Sequence, residues 1–129
     1  MSHNKILLIL FLALTSLGYE KVCVLFNIAA LQSSIAASQS LDNDDGLKLA
    51  TKLFQQSAGI LNYLKSAAPA AISQEPTPDL NPETLTVLSN LMIAQAQETF
   101  IVKAIRGLVG IFLCLFFSFF FNLAKLQIA

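Results

Sequence analysis

Reactive side chains are scarce in this chain. Its one histidine, His3, lies near a terminus and leaves no base to activate the plentiful serines and threonines. The two cysteines, Cys23 and Cys114, sit far apart in apolar runs, without metal-like spacing and without forming a disulfide framework. There is no Gly-rich phosphate loop, and no paired carboxylates beyond one acidic cluster. Charge is short too: 12% of residues are charged, eight of each sign, so no field points to nucleic acid. No segment reads as a strand. These absences point away from an enzyme, a cofactor or metal site, a small-molecule substrate and nucleic acid.

What the chain has is apolar surface and helical period. It is 55% hydrophobic over 129 residues, with a mean hydropathy of +0.65, enough for one small domain but above the usual soluble range. The excess is uneven, because six of the ten phenylalanines fall between positions 112 and 121.

The run ILLILFLAL, residues 6–14, follows Lys5 and precedes Ser16-Leu17-Gly18, the form of a secretory signal peptide. Nine residues rise only about 14 Å as a helix, too short to span a bilayer. The alternative is continuation into a buried helix over residues 19–38, where Val22, Phe26, Ala29, Ala30 and Ile35 recur near helical spacing. After a polar turn at 40–46, Leu47, Ala50, Phe54, Ala58, Leu61 and Leu64 form one apolar stripe. That predicts an amphipathic helix of about five turns, antiparallel to its predecessor because the connection is short. Residues 67–81 hold three of the four prolines and are expected to break helix repeatedly. Asn81 then caps a helix with Pro82 at its first position, with Leu85, Leu88, Met92, Ala96 and Thr99 or Phe100 as its apolar stripe, running to about Arg106. The expectation is an all-α fold, with small residues Ser57, Ala58, Ala94 and Ala96 letting helices approach closely.

The stretch LDNDDGLK, residues 41–48, superficially resembles a calcium loop. Setting Gly46 at the sixth position puts Leu41 where the leading carboxylate belongs and Lys52 where the bidentate Glu belongs. Calcium is disfavoured there. A helix start fits better, with Asp or Asn capping and the acids facing the positive end of the helix dipole.

YEKVCVLFNIAAL, LDNDDGLK, EPT and LMIAQAQETF, within residues 12–106, closely resemble part of the BRO-one domain of Alix-like, ESCRT-associated proteins. The resemblance implies antiparallel, tetratricopeptide-like helix hairpins and a non-enzymatic adaptor, cytoplasmic and endosome-associated, in multivesicular body sorting. It also implies an apolar patch for the C-terminal amphipathic helix of a Snf-seven-type ESCRT-III subunit, the charged multivesicular body protein four kind. The matching positions are Asp44 and Phe100, with Lys48 and Lys103 flanking the same groove. Read from the residues alone, Asp44 would be a plain cap and Phe100 ordinary core.

Residues 1–11 and 107–129 fall outside this resemblance. The eighteen uncharged residues GLVGIFLCLFFSFFFNLA, bounded by Arg106 and Lys125, rise about 27 Å as a helix, close to a hydrocarbon core. They read as a transmembrane candidate, with Lys103 and Arg106 favouring a cytosolic side for the preceding helices. The abrupt change of composition favours a truncated or mis-spliced product over a purposeful anchor. The family's patch draws further apolar residues from the segment this tail replaces, so partner binding is expected to be weakened. The competing function is a small secretory-pathway membrane protein anchored by residues 107–124.

Overall fold

Apolar residues three and four apart put a stripe on each of three helices, and burying those stripes against one another makes the fold. The computed structural model describes residues 3–72 and 76–128. Ser73, Gln74 and Glu75 in the proline-rich stretch, and the side chains of 11–16 in the signal-like run, lie outside it. Helix α1 spans His3–Ala37, α2 spans Asp44–Ala71, a single 3-10 turn covers Pro78–Leu80, and α3 spans Pro82–Ile128. No strand occurs among the described residues.

Helix α2 is the centre of the body, packed on α1 on one side and α3 on the other. Its whole expected stripe, Leu47 to Leu64, is buried, and the stripe extends to Ala68. Helix α1 contributes Val22, Ala29 and Ala36 at seven-residue intervals, with Leu25 and Phe26 partly buried beside them. Ala30 and Ile35, expected in that stripe, are exposed. Helix α3 contributes Leu85, Met92, Ala96 and Thr99, with Leu88 at the edge. Ala94, expected at a seam, faces out. Leu47, Leu64 and Leu85 are fully enclosed, each contributing roughly 1.5–3 kcal/mol by leaving water.

Serine hydroxyls stitch the seams. Ser57 Oγ donates to the Ala29 carbonyl at 2.8 Å, joining α2 to α1, and Ser89 Oγ donates to the Ala58 carbonyl at 3.0 Å, joining α3 to α2. Both serines are small enough to let backbones approach, and both find a partner for a buried hydroxyl. Across the α1–α2 seam, Gly18 lies near Ala71 while Ala29 meets Ser57, so partner numbers fall as the others rise. The pair is an antiparallel hairpin, as expected, and α3 repeats the geometry against α2.

Three expectations need correction. Helix α2 has 28 residues, about eight turns rather than five, and Pro69 lies inside it. Pro69 removes one bond and crowds the Lys65 carbonyl, but it stands near the helix end, where little ladder remains to lose. Packing decides: Ala68 is wholly buried, Ala71 lies against the core, and the Ile72 N–H closes on the Ala68 carbonyl at 3.0 Å.

The signal-like run is continuous with the helix after it, but its described side chains are not buried; Ile6, Leu7, Leu8, Ile9 and Leu10 are all exposed.

Helix α3 does not stop near Arg106. It runs 47 residues without interruption, about 70 Å, because neither Gly107 nor Gly110 has a turn signal beside it and no proline intervenes. Every residue from 104 to 125 is exposed.

Candidate functional site

The α1–α2 turn and the first turn of α2 decide where the acidic residues point. Asn43 is the N-cap: its extended backbone turns the chain, and its Oδ1 accepts the Gly46 N–H at 2.6 Å. Asp44 is therefore not the cap but the first residue of the helix. It stands beside the positive end of the dipole with its side chain 67% exposed. Gly46 has a steric cause: a Cβ there would overlap the Ser40 carbonyl oxygen. The glycine of LDNDDGLK lets the helix start press against the preceding turn, and Asp45, Gly46 and Lys52 are all helical. That is no calcium loop, and no group of three metal-ligating side chains occurs among the described residues.

Opposite this turn, α3 brings two cations. Lys103 Nζ lies 3.8 Å from Asp44 Oδ2, while Lys48 Nζ, one turn along α2, lies 4.0 Å from the same oxygen. Arg106 reaches Asp42 Oδ1 at 3.4 Å. These are loose, solvated pairs worth at most about 1 kcal/mol each. The register holding them comes from Thr51 and Thr99, whose hydroxyls meet at 2.7 Å across the α2–α3 seam.

Phe100 follows Thr99 and is 63% exposed. It is not core: about 100° round the helix from it, Thr99 faces the seam and Phe100 points off it. Thr99 takes the inward place, being small enough for the close crossing. Phe100 is left on the flank, three residues from Lys103 and so on the same face. Asp44, Lys48, Lys103 and Phe100 thus gather at one end of the α2–α3 pair: an exposed aromatic ring beside a breakable cluster of both charges. The Asp42–Arg106 pair belongs to the same end. Its signal in the sequence was there to find, since each member lies about one turn or less from a residue already singled out.

Other concavities lie elsewhere. A trough of about 570 Å³ runs along α1 and α2 past Lys21, Leu25, Gln56 and Tyr63. A cleft of about 140 Å³ opens where Phe26, Leu61 and Met92 of the three helices converge. Neither holds a cluster of reactive groups. Tyr19, one turn before Cys23, has its phenol pKa raised above the ordinary value, chiefly by a hydrogen bond with that cysteine.

Comparison with known proteins gives a consistent picture. The BRO1-like domain model matches residues 11–109. Human programmed cell death 6-interacting protein is 57% identical over 95 residues, 74% of this chain and 11% of that protein. The Aspergillus fumigatus vacuolar protein-sorting protein bro1 is 43% identical over 90 residues, 70% of this chain and 9% of that protein. Among solved structures, an ALIX BRO1 CHMP4C complex superposes with a TM-score of 0.70 at 55% identity, covering 70% of this chain and 26% of that one. The chain spans about a tenth of the length of the curated relatives it matches.

Proposed function

The chain belongs to the BRO1-like domain family, and from that premise we propose that it is a non-enzymatic adaptor of the endosomal sorting pathway, cytoplasmic and recruited to endosomes. Its Asp44–Phe100 end receives the amphipathic C-terminal helix of a Snf-seven-type ESCRT-III subunit. The relatives support the pathway: one is named for vacuolar protein sorting, and one structure of similar fold is a complex with CHMP4C. The observation that carries the reading for this chain is the exposure of Phe100 beside the Lys103–Asp44 pair.

The recognition is helix in groove. An apolar face of the incoming helix covers Phe100, while its charges exchange with the loose pairs already present. Opening those pairs costs little, because both members are solvated. Lys48 and Lys103 then meet carboxylates of the partner, and Asp44 meets a cation. The segment beyond Arg106 lowers the affinity. The family match ends at residue 109, and the Phe-rich run after it stands where the resemblance implies that Alix-like proteins complete the patch. A groove short of one wall loses part of its dry centre, where most binding energy concentrates.

Titrating a labelled amphipathic tail peptide with the full chain in mild detergent, against a scrambled peptide, tests this. A dissociation constant between roughly 10 and 500 μM is expected, weakened about fivefold or more by Phe100→Ala and by Asp44→Ala. Absence of saturable binding below about 1 mM removes the proposed role, whereas sub-micromolar binding removes the missing wall.

A further inference from the structure

We propose that residues 107–124 enter a lipid bilayer as a single crossing, with Lys103 and Arg106 at the headgroups, so that the Asp44–Phe100 end of the helical body abuts the membrane. The inference rests on none of the partner contacts, but where it holds an anchor replaces recruitment, with the helical body on the cytoplasmic side. Among the described residues, α3 is the one helix long and apolar enough to cross, and none of its apolar window is buried.

The occupant is identified by the shape of the apolar surface. From 104 to 125 every side chain is exposed, with Phe112 and Phe117 at 71%. A helix seated in a protein groove needs one apolar stripe and keeps a polar back. Here phenylalanine, leucine, valine and isoleucine face all directions, which a surrounding hydrocarbon phase satisfies and a groove does not.

Length and charge agree. Eighteen uncharged residues rise about 27 Å against a core of about 30 Å. Arg106 precedes the run directly and Lys125 closes it, so each boundary has a cation for phosphate. The shortfall of a few ångströms is within what long basic side chains absorb by reaching outward. Ser118 is the polar residue furthest inside, and its hydroxyl can bond within its own helix. Asn122 lies only about 5 Å along the axis from Lys125, near the far surface. Since α3 is unbroken at residue 106, the depth of the crossing sets the height of the body. Lys103 and Arg106, loosely held by Asp44 and Asp42, are the cations nearest the headgroups.

Cys114 supplies the test, because it lies about 2 Å along the axis from the middle of the run. In a Cys23→Ala background it is the sole thiol of the chain. The protein would be reconstituted by detergent removal into phosphatidylcholine–phosphatidylserine vesicles, floated, washed in alkaline carbonate, and probed with a membrane-impermeant maleimide. Glu98→Cys, with both native cysteines replaced by alanine, gives the water-facing reference. The expected result is flotation that survives the wash, with Cys114 labelled about tenfold more slowly than the reference until detergent is added. Leu115→Lys should abolish wash-resistant flotation and leave the helical circular dichroism of the body intact, since residue 115 touches none of it. Three results would each overturn the proposal: wild-type release by carbonate, Cys114 as reactive as the reference, or a lipid-free oligomer that shields Cys114 and does not float. The last would assign the surface to a second copy of the chain.

Discussion

Lys103 Nζ stands 3.8 Å from Asp44 Oδ2, joining the first turn of α2 to α3 one turn beyond the exposed Phe100. The contact spans 59 positions of sequence, yet it is not what holds the two helices together. The Thr51–Thr99 hydroxyl pair and the buried stripe do that, and the ion pair rides on the register they create.

Removing the ion pair should therefore leave stability almost unchanged. Lys103→Ala is expected to shift urea unfolding by no more than about 0.5 kcal/mol, because both partners are solvated. It should still weaken the tail-peptide titration, which separates a docking role from a structural one.

Gly46→Ala should do the reverse. The new Cβ would meet the Ser40 backbone oxygen well inside contact distance, and backbone cannot step aside as a side chain does. Destabilisation of more than about 2 kcal/mol is expected in urea titration followed by circular dichroism. Calcium should not rescue it, since the glycine serves a close approach.

The cap residue and its neighbour should be separable. Asn43→Ala leaves the Gly46 N–H without its acceptor and should cost about 1 kcal/mol, whereas Asn43→Asp should be nearly neutral. Asp44→Ala loses a favourable charge at the dipole and two loose, solvated ion pairs, together about 0.3–1 kcal/mol, which thermal melts of the three variants can rank.

In the core, Leu64→Ala and Leu85→Ala are each expected to cost about 2–5 kcal/mol, because both side chains are fully enclosed on the α2 and α3 stripes. Phe100→Ala, removing a larger side chain, should cost less than about 1 kcal/mol. Chemical denaturation of the three variants checks the ordering; a large loss on truncating Phe100 would place it in the core after all.

The α2 stripe was legible in the sequence because six apolar residues repeat there over five turns and polar residues fill the gaps. The same rule could not choose between Thr99 and Phe100, which are adjacent and both compatible with the period. Steric space at the Thr51 crossing chose, and that is a property of two helices together. Pro69 misled for a related reason: proline is a strong local breaker, but the buried Ala68 and the packed Ala71 hold the last turn from outside it. At LDNDDGLK, both an Asn and an Asp could cap, and only the backbone course shows Asn43 in that place. The site's residue types came from family resemblance; their convergence came from packing.

Because α3 passes from the Thr99 seam into the Phe-rich segment as one rod, rotation at one end is rotation at the other. One alanine inserted after Ile105 would swing everything beyond it by about 100° and push it about 1.5 Å outward. The helical register at that junction works like the keyway on a shaft: it decides which side of the three-helix body faces any object that grips the far end.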